Sequence, residues 1–301
     1  MTTNNNIITI IFSKNRPLQL DLLLNSFYLH CMQSYSTDIH IIYTYDDQYK
    51  NSYNQLIQEQ EEKERDNIKF IYEKDYPTFK STFVEKIKDY EYVMFLVDDN
   101  IFTHPFDLLQ ISDLLKLNHD VLGFSLRLGK NTNICYPLNT QQEIPKSIEY
   151  DSNINYFSTL NDLQIFAFYW IKAQLDFNYA LEVSSSVYRV KDLINWFRDL
   201  VFNNPNELEA VLYDYSYYFY GKPKLLSYCT SAAFCAPMNK VQNVALNNRS
   251  NNMNMFSQES MLTMYKNGFR INPIEFDGVI SNGCHQEVAL YTLEEYEKYG
   301  L

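Results

Sequence analysis

The stretch EYVMFLVDDNIF, residues 91–102, sets the apolar run VMFLV directly before Asp98, Asp99 and Asn100. A continuous apolar run of this length is typical of a strand that is buried on both faces of a parallel sheet. Ligands of open α/β sheets bind beyond the carboxyl ends of such strands. The stretch therefore predicts a central strand whose polar tip lies where the fold binds its ligand.

The segments around this strand alternate between two patterns. Strands are predicted at 7–12, 38–45, 67–73, 91–97 and 120–128, and helices at 16–30, 53–66, 77–90 and 107–118. Alternation of this kind predicts an α/β fold with a mainly parallel sheet and helices on both of its faces. After residue 128 the pattern is less regular, with helices expected at 190–202 and 206–220 and a strand-like segment at 223–236.

Bulk composition limits the class of protein. The 301 residues are 46% apolar, which is enough for a full core, and the net charge of −12 without a Lys/Arg cluster argues against a nucleic-acid binder. The five cysteines are irregularly spaced and include no CxxC pair, so neither a disulfide framework nor a structural zinc site is expected. The N-terminal apolar run is too short for a membrane span, and we expect a cytoplasmic protein without an integral membrane segment.

Two polar segments at predicted carboxyl edges are candidates for chemistry. Asp98, Asp99 and Asn100 offer the hard oxygen ligands that Mg²⁺ or Mn²⁺ prefers, although Asp and Asn also cap strands routinely. The segment SKNRP, residues 13–17, brings Arg16 to a helix start, where it can bind phosphate or simply face solvent. No GxGxxG or GxxxxGK[ST] motif is present, which argues against a Rossmann dehydrogenase and a P-loop nucleotidase.

The first strand with SKNRPLQLDLLLNSF, and the later FLVDDNIF, resemble a nucleotide-sugar-dependent glycosyltransferase of the GT-A fold, similar to family 2-like inverting enzymes. The resemblance extends from about residue 5 to residue 128. FLVDDNIF resembles the DxD motif, which in this family holds a divalent cation on the donor diphosphate. Asn100 stands at the last position of the motif and departs from its Asp, and Asp99 can substitute for it as a ligand.

The resemblance implies a Rossmann-related sheet and a hexosyltransferase that uses Mn²⁺ or Mg²⁺ and a nucleotide-sugar donor, with a UDP-sugar expected. It also implies one domain over residues 1–301, in which about 1–128 bind the nucleotide sugar and about 129–301 form a C-terminal acceptor-side subdomain. The acceptor is expected to be a glycan or another hydroxyl compound.

Several site residues follow from the resemblance. NPNELEAVL, residues 204–212, resembles the acidic helix start that carries the general base, with Glu209 as first choice and Glu207 as second. Either residue can instead simply cap the helix, because a Glu near a helix N-terminus is stabilising. VSSSVYRVKDL, residues 183–193, resembles a turn near the donor sugar and makes Ser185 a donor contact, while NGCHQEV supplies His285 as a metal ligand. The other expected donor-binding residues are Ser13, Asn15, Arg16, Tyr45, Asp46, Lys80, Asp98 and Arg127.

Three alternatives stay open. A sugar nucleotidyltransferase shares the doubly wound first half and the metal chemistry, but normally opens with a Gly-rich loop. A non-catalytic glycan-binding protein on the same fold would expose aromatic side chains, and the tract 156–170 is the candidate for such a surface. A retaining enzyme needs no general base, so inversion depends on the assignment of Glu209 or Glu207.

Overall fold

The computed structural model describes residues 6–75, 77–153, 164–237 and 256–300. The strands are Ile7–Lys14 (β1), Asp38–Thr44 (β2), Ile68–Tyr72 (β3), Tyr92–Val97 (β4), Asn100–Phe102 (β5), Val121–Ser125 (β6), Ile134–Cys135 (β7), Thr140–Gln141 (β8), Ile165–Tyr169 (β9), Ser186–Arg189 (β10), Lys224–Tyr228 (β11) and Ala233–Cys235 (β12). The helices are Pro17–His30 (α1), Lys50–Glu62 (α2), Phe79–Ile87 (α3), Leu108–Leu117 (α4), Val190–Asp199 (α5), Pro205–Asp214 (α6), Gln258–Lys266 (α7) and Leu293–Tyr299 (α8).

A sheet of eight strands in the order β3-β2-β1-β4-β10-β6-β11-β9 forms the centre of the molecule. β1 pairs in parallel with β2 and β4, β2 pairs in parallel with β3, and β6 pairs in parallel with β11. Only β9 and β10, within this sheet, are antiparallel to their neighbours. The predicted α/β fold with a mainly parallel sheet is confirmed.

Helices cover both faces of this sheet, and β1 shows why. Ile7 and Ile11 point into an apolar cluster with residues of α1, α2 and α4, whereas Ile8 and Ile10 point into a second cluster with residues of α3, α5 and α6. Because successive side chains of a strand point to opposite faces, a strand with apolar residues on both faces contributes to two cores.

β10, like β9, is a strand of the sheet that the sequence did not predict. The sequence indicated only a small-residue turn before a helix, but the chain forms four residues of buried strand between β4 and β6. Four residues are too few for a period to stand out. Gly123 on β6 makes room for this strand, because a Cβ there would lie 2.6 Å from Cδ1 of Tyr188.

The aromatic tract 156–170 is not an exposed surface over its described part. Phe166, Phe168 and Trp170 are at most 1% exposed and belong to the core, because β9 pairs with β11 as the last strand of the sheet. Residues 156–163 of the tract lie outside the described residues. In the described part of the chain, no helix combines the length and the apolar character that crossing a membrane requires.

Candidate active site

Asp98 and Asp99 follow β4 at the carboxyl edge of the sheet, and both carboxylates form an ion pair with the side chain of Arg16. Arg16 Nη1 lies 2.9 Å from Asp98 Oδ1 and 3.1 Å from Asp99 Oδ2, and Lys14 donates its backbone N–H to Asp98 Oδ2 at 3.0 Å. Burial raises the pKa of Asp99 to about 6, the guanidinium of Arg16 opposes the shift, and the charge of Asp98 adds to it. The structure thus brings Asp98, Asp99 and Arg16 together, and their roles toward a metal and a phosphate stay predictions.

The loop after β1 is fixed to the loop after β2. Asn15 Nδ2 donates to Asp46 Oδ2 at 2.7 Å, and Asp46 N donates to Asn15 Oδ1 at 2.9 Å. Asn15 has a φ of 57°, which Asn tolerates better than most residues. Ser13 Oγ lies 2.7 Å from the hydroxyl of Tyr53, so three of the predicted donor-binding residues meet at this edge.

Tyr45 belongs to an aromatic group beside this loop. Its ring stacks on Tyr72 with centroids 4.8 Å apart and on Tyr53 at 5.6 Å. The side chain is half-buried and Asp46 next to it is exposed. Tyr45 and Asp46 therefore lie at the end of β2 as predicted, and their roles toward a nucleobase and a ribose stay predictions.

Asn100 points into the protein. Its side chain is fully buried; Nδ2 donates to Ser184 Oγ at 3.2 Å, to Ser185 Oγ at 3.3 Å and to Cys235 Sγ at 3.1 Å, while Oδ1 accepts from Val97 N at 2.8 Å. These contacts tie the end of β4 to the turn before β10 and to β12. They give no support to the predicted role of Asn100 as a metal ligand.

Ser185 is likewise enclosed rather than presented to solvent. It is fully buried with a φ of 70°, and its Oγ donates to the carbonyl of Ser184 at 2.6 Å. Its backbone bridges two strands, since Ser185 N donates to Phe95 O at 2.7 Å and Leu126 N donates to Ser185 O at 2.8 Å. The predicted donor-binding role of Ser185 has no support in these contacts.

A second acidic group surrounds Arg127, just after β6. Arg127 Nε lies 3.6 Å from Glu182 Oε1, and Glu209 Oε1 accepts the backbone N–H of Val183 at 3.2 Å. Burial raises the pKa of Glu209, and the charge of Arg127 opposes this shift. A carboxylate with a raised pKa beside a fixed cation has the properties of a general base.

Glu182 is a member of this group that sequence reasoning missed. It is 2% exposed and accepts hydrogen bonds from the backbone of Ser184 and the hydroxyl of Ser186. Burial raises the pKa of Glu182 to about 7, against the charge of Arg127. Its one sequence signal is that it is the only acid within the otherwise apolar and small run ALEVSSSV.

Glu207 and Lys80 are not brought to these groups. Glu207 accepts from the backbone and side chain of Asn203 at 2.8 and 3.0 Å, and from Asn204 Nδ2 at 2.8 Å, so it serves the start of α6. Lys80 donates to the carbonyls of Arg198 and Leu200 at 2.6 and 2.8 Å, and so joins α3 to the end of α5. Of the two predicted bases, only Glu209 meets the group around Arg127.

His285 lies on the other side of Cys235 from Asn100, in a backbone bridge with that cysteine. Its Nδ1 is buried and has no hydrogen-bond partner among the described residues. Burial, with the charge of Arg127 adding to it, lowers the pKa of His285 to about 3. The imidazole is therefore neutral at physiological pH, which is the form that binds metals.

The metal that the resemblance implies fits these residues in part. Mg²⁺ and Mn²⁺ are commonly held by one or two carboxylates together with waters and substrate phosphates. Asp98, Asp99 and the unpartnered Nδ1 of His285 offer suitable donor atoms, while Asn100 does not. No group of three or more His, Cys, Asp or Glu side chains converges on a common point within the described ranges, so the protein alone does not form a closed cage.

Comparison with known proteins relates the chain to glycosyltransferases. No protein-family model matches it. Over 225 residues it is 27% identical to the bifunctional glycosyltransferase pgtA of Dictyostelium discoideum, a match that covers 68% of this chain and 28% of the relative. The chain thus spans less than a third of the length of this curated relative. The match confirms the similarity to glycosyltransferases that the motifs predicted.

Two solved structures overlap with most of the chain. S. aureus TarS gives a TM-score of 0.45 at 13% identity, with 88% of this chain and 44% of that chain covered. S. aureus TarS 1–349 in complex with UDP-GlcNAc gives a TM-score of 0.46 at 12% identity, with 87% and 71% covered.

Proposed function

We propose that this chain is a glycosyltransferase that moves a sugar from a nucleotide-diphosphate sugar, a UDP-sugar in the first instance, to an acceptor hydroxyl with inversion. One observation carries the proposal: a chain of contacts joins the two acidic groups. Asp99 precedes Asn100, whose side-chain amide donates hydrogen bonds to the hydroxyls of Ser184 and Ser185. Val183, in the same turn, donates its backbone N–H to the carboxylate of Glu209. Donor-side and acceptor-side chemistry thus share one rigid turn.

The donor side is the edge formed by β1, β2 and β4. Arg16 places a positive charge there, but Asp98 and Asp99 already share it, so a donor diphosphate would need a divalent cation as well. We assign the nucleotide sugar to the half of the chain before about residue 128. When bound, a divalent cation held by Asp98 and Asp99 together with waters and donor phosphates would offset the charge of the diphosphate.

The acceptor side is the group around Arg127. Glu209, as general base, removes the proton from the acceptor hydroxyl, whose oxygen attacks the anomeric carbon from the face opposite the diphosphate. The bond between the anomeric carbon and the phosphate oxygen breaks, and the nucleoside diphosphate leaves with the electron pair. The charge of Arg127 favours the carboxylate form of Glu209, because it opposes the effect of burial, which raises the pKa of that group.

The test is a transfer assay on two variants of α6. UDP release from UDP-glucose, UDP-galactose and UDP-GlcNAc is measured with Mn²⁺ and neutral mono- and oligosaccharide acceptors. Glu209→Gln is expected to lower the rate by about 10² or more, because general-base catalysis contributes about 10² to 10⁴. Glu207→Gln is the matched control, since that side chain lies two residues away and serves the helix start.

Unchanged melting temperatures of both variants will show that folding is intact. Equal rates for Glu209→Gln and the wild type would contradict the base assignment and leave a retaining mechanism. If the wild type releases UDP from none of these donors, the proposed activity toward UDP-sugars is contradicted.

A further inference from the structure

Tyrosines are concentrated on one exposed part of the surface. Six tyrosines of the described residues expose more than a third of their area, and five of these fall within eight residues. The five are Tyr213 (50% exposed), Tyr215 (38%), Tyr217 (50%), Tyr218 (56%) and Tyr220 (55%). Together with Trp196 of α5, they are called the tyrosine surface below. In the described residues 202–237, no Leu, Ile, Met or Phe is comparably exposed.

Four rings of this surface, those of Trp196, Tyr215, Tyr217 and Tyr218, are held in place by one another. Trp196 packs on Tyr218 with ring centroids 4.6 Å apart and on Tyr215 at 6.3 Å, and Tyr217 packs on Tyr218 at 4.3 Å. Phe219 anchors the same short 3₁₀ helix, Ser216–Phe219, in the core and contacts Trp196 at 5.7 Å. Binding to such a preformed surface costs little ordering of side chains.

The tyrosine surface is continuous with the proposed general base. Tyr213 stacks on Tyr179 with centroids 5.1 Å apart and an interplanar angle of 30°. Tyr213 and Glu209 lie four residues apart on α6 and so share one face of that helix, and burial, with the charge of Glu209 adding to its effect, raises the pKa of Tyr179. A ligand that extends along these rings therefore ends at the carboxylate that would activate an acceptor hydroxyl.

We propose that the tyrosine surface binds a neutral carbohydrate, namely the acceptor that presents its hydroxyl to Glu209. The inference rests on the proposed function. Tyrosine combines a large apolar face with a hydroxyl, and so matches a sugar ring, which has apolar C–H faces and polar edges. The chain is acidic overall, with a net charge of −12, which disfavours a polyanionic glycan.

The protein carries its own reporter for this test. Its two tryptophans are Trp170, which is 1% exposed and donates to Lys222 O at 2.7 Å, and Trp196 within the tyrosine surface. The wild type is titrated with neutral cello-, malto-, galacto- and chito-oligosaccharides while tryptophan emission is recorded. We expect a saturable change with at least one series, and affinity electrophoresis in the same glycan gives a second readout.

The variant Tyr217→Ala/Tyr218→Ala should bind the oligosaccharide at least about tenfold more weakly, as expected when central aromatic contacts are removed. Tyr35→Ala removes a tyrosine that is 66% exposed elsewhere and should bind like the wild type. Tyr217→Ala alone provides a milder variant if the double variant folds poorly. UDP-sugar should raise the melting temperature of all these variants as it does that of the wild type.

Three results would overturn the inference. The first is that no oligosaccharide changes the tryptophan emission although UDP-sugar still stabilises the protein. The second is that the double variant binds the oligosaccharide as tightly as the wild type does. The third is that the wild type sediments as a dimer and the double variant does not. The dimer would make the surface a contact between copies of the chain. Oligosaccharide binding without any donor stabilisation would instead contradict the proposed function and leave the carbohydrate surface standing.

Discussion

Asp99 is held in its ionised form against the preference of its surroundings. Its folded-state pKa of about 6 lies above the ordinary value of 3.8, so the native state binds more protons than the unfolded state between these two pH values. Stability therefore falls as pH rises from about 4 to about 6, and the full cost is present at neutral pH. A fold that keeps such an acid gives up stability for function, as candidate active sites often do.

Asp99→Asn should accordingly raise the free energy of unfolding at pH 7 by on the order of 2 kcal/mol, since one pKa unit corresponds to about 1.4 kcal/mol. The Asn oxygen still accepts from Arg16, so no cation is left unpaired. The gain should shrink as pH falls through 6 and vanish below about 4. Urea unfolding of both proteins between pH 4 and pH 8 measures it.

Asp66→Asn is the control for the removal of one negative charge, because Asp66 is exposed. Its effect on stability should be within about 0.5 kcal/mol at every pH. A wild type that is more stable than Asp99→Asn at pH 7 would contradict this description of the acidic pair.

The element that positions the proposed base is α6. Asn204 caps it by accepting from Asn206 N at 3.1 Å and Glu207 N at 3.0 Å, and Pro205 occupies its first turn. Leu208 is fully buried and fixes the rotation of the helix, which places Glu209 beside Val183. The helix start thus determines where the carboxylate lies.

Asn204→Ala should lower the free energy of unfolding by about 1 kcal/mol, the usual effect of losing an N-cap. Fraying of the first turn should also misplace Glu209, so the rate of transfer should fall several-fold. Ser257→Ala removes the corresponding cap of α7 and should lower stability similarly without this loss of rate. Equal rates in the two variants would show that the cap of α6 does not position the base.

Sequence reasoning predicted those elements whose pattern is local. β1 to β4 were predicted because each is a run of apolar residues between helical segments, and the tip at Asp98 followed from the end of such a run. β10 was not predicted, because its four residues owe their strand conformation to pairing with β4 and β6. Pairing between distant segments leaves no signal in a short stretch of sequence.

In the candidate site, too, the local sequence predicted some features, and contacts between distant segments decided the others. Glu209 and Glu207 both lie near a helix start, and only the structure shows that the second caps the helix while the first meets Val183. Asn100 matches the motif, yet its amide binds Ser184 and Ser185 from a segment 84 residues away. Long-range partners of this kind decide which polar residues face a ligand.

At the scale of the whole molecule, two cores on opposite faces of one sheet hold the carboxyl edge rigid. Asp98 and Arg16 follow the neighbouring strands β4 and β1, and His285 is joined to the same edge through β12 and β5. A donor bound there would contact several segments that meet only in the folded chain. Its binding should therefore stabilise the fold as a whole.

Whether this edge is the donor site is best measured by the melting temperature in the presence of donors. UDP-glucose, UDP-galactose and UDP-GlcNAc are each added with and without Mn²⁺ to the wild type and to Asp99→Asn. A donor at about 100 times its dissociation constant should add about 2.7 kcal/mol to the wild type in the presence of the metal, and little to the variant relative to its own baseline. No stabilisation by any donor, or equal stabilisation of both proteins, would contradict the account.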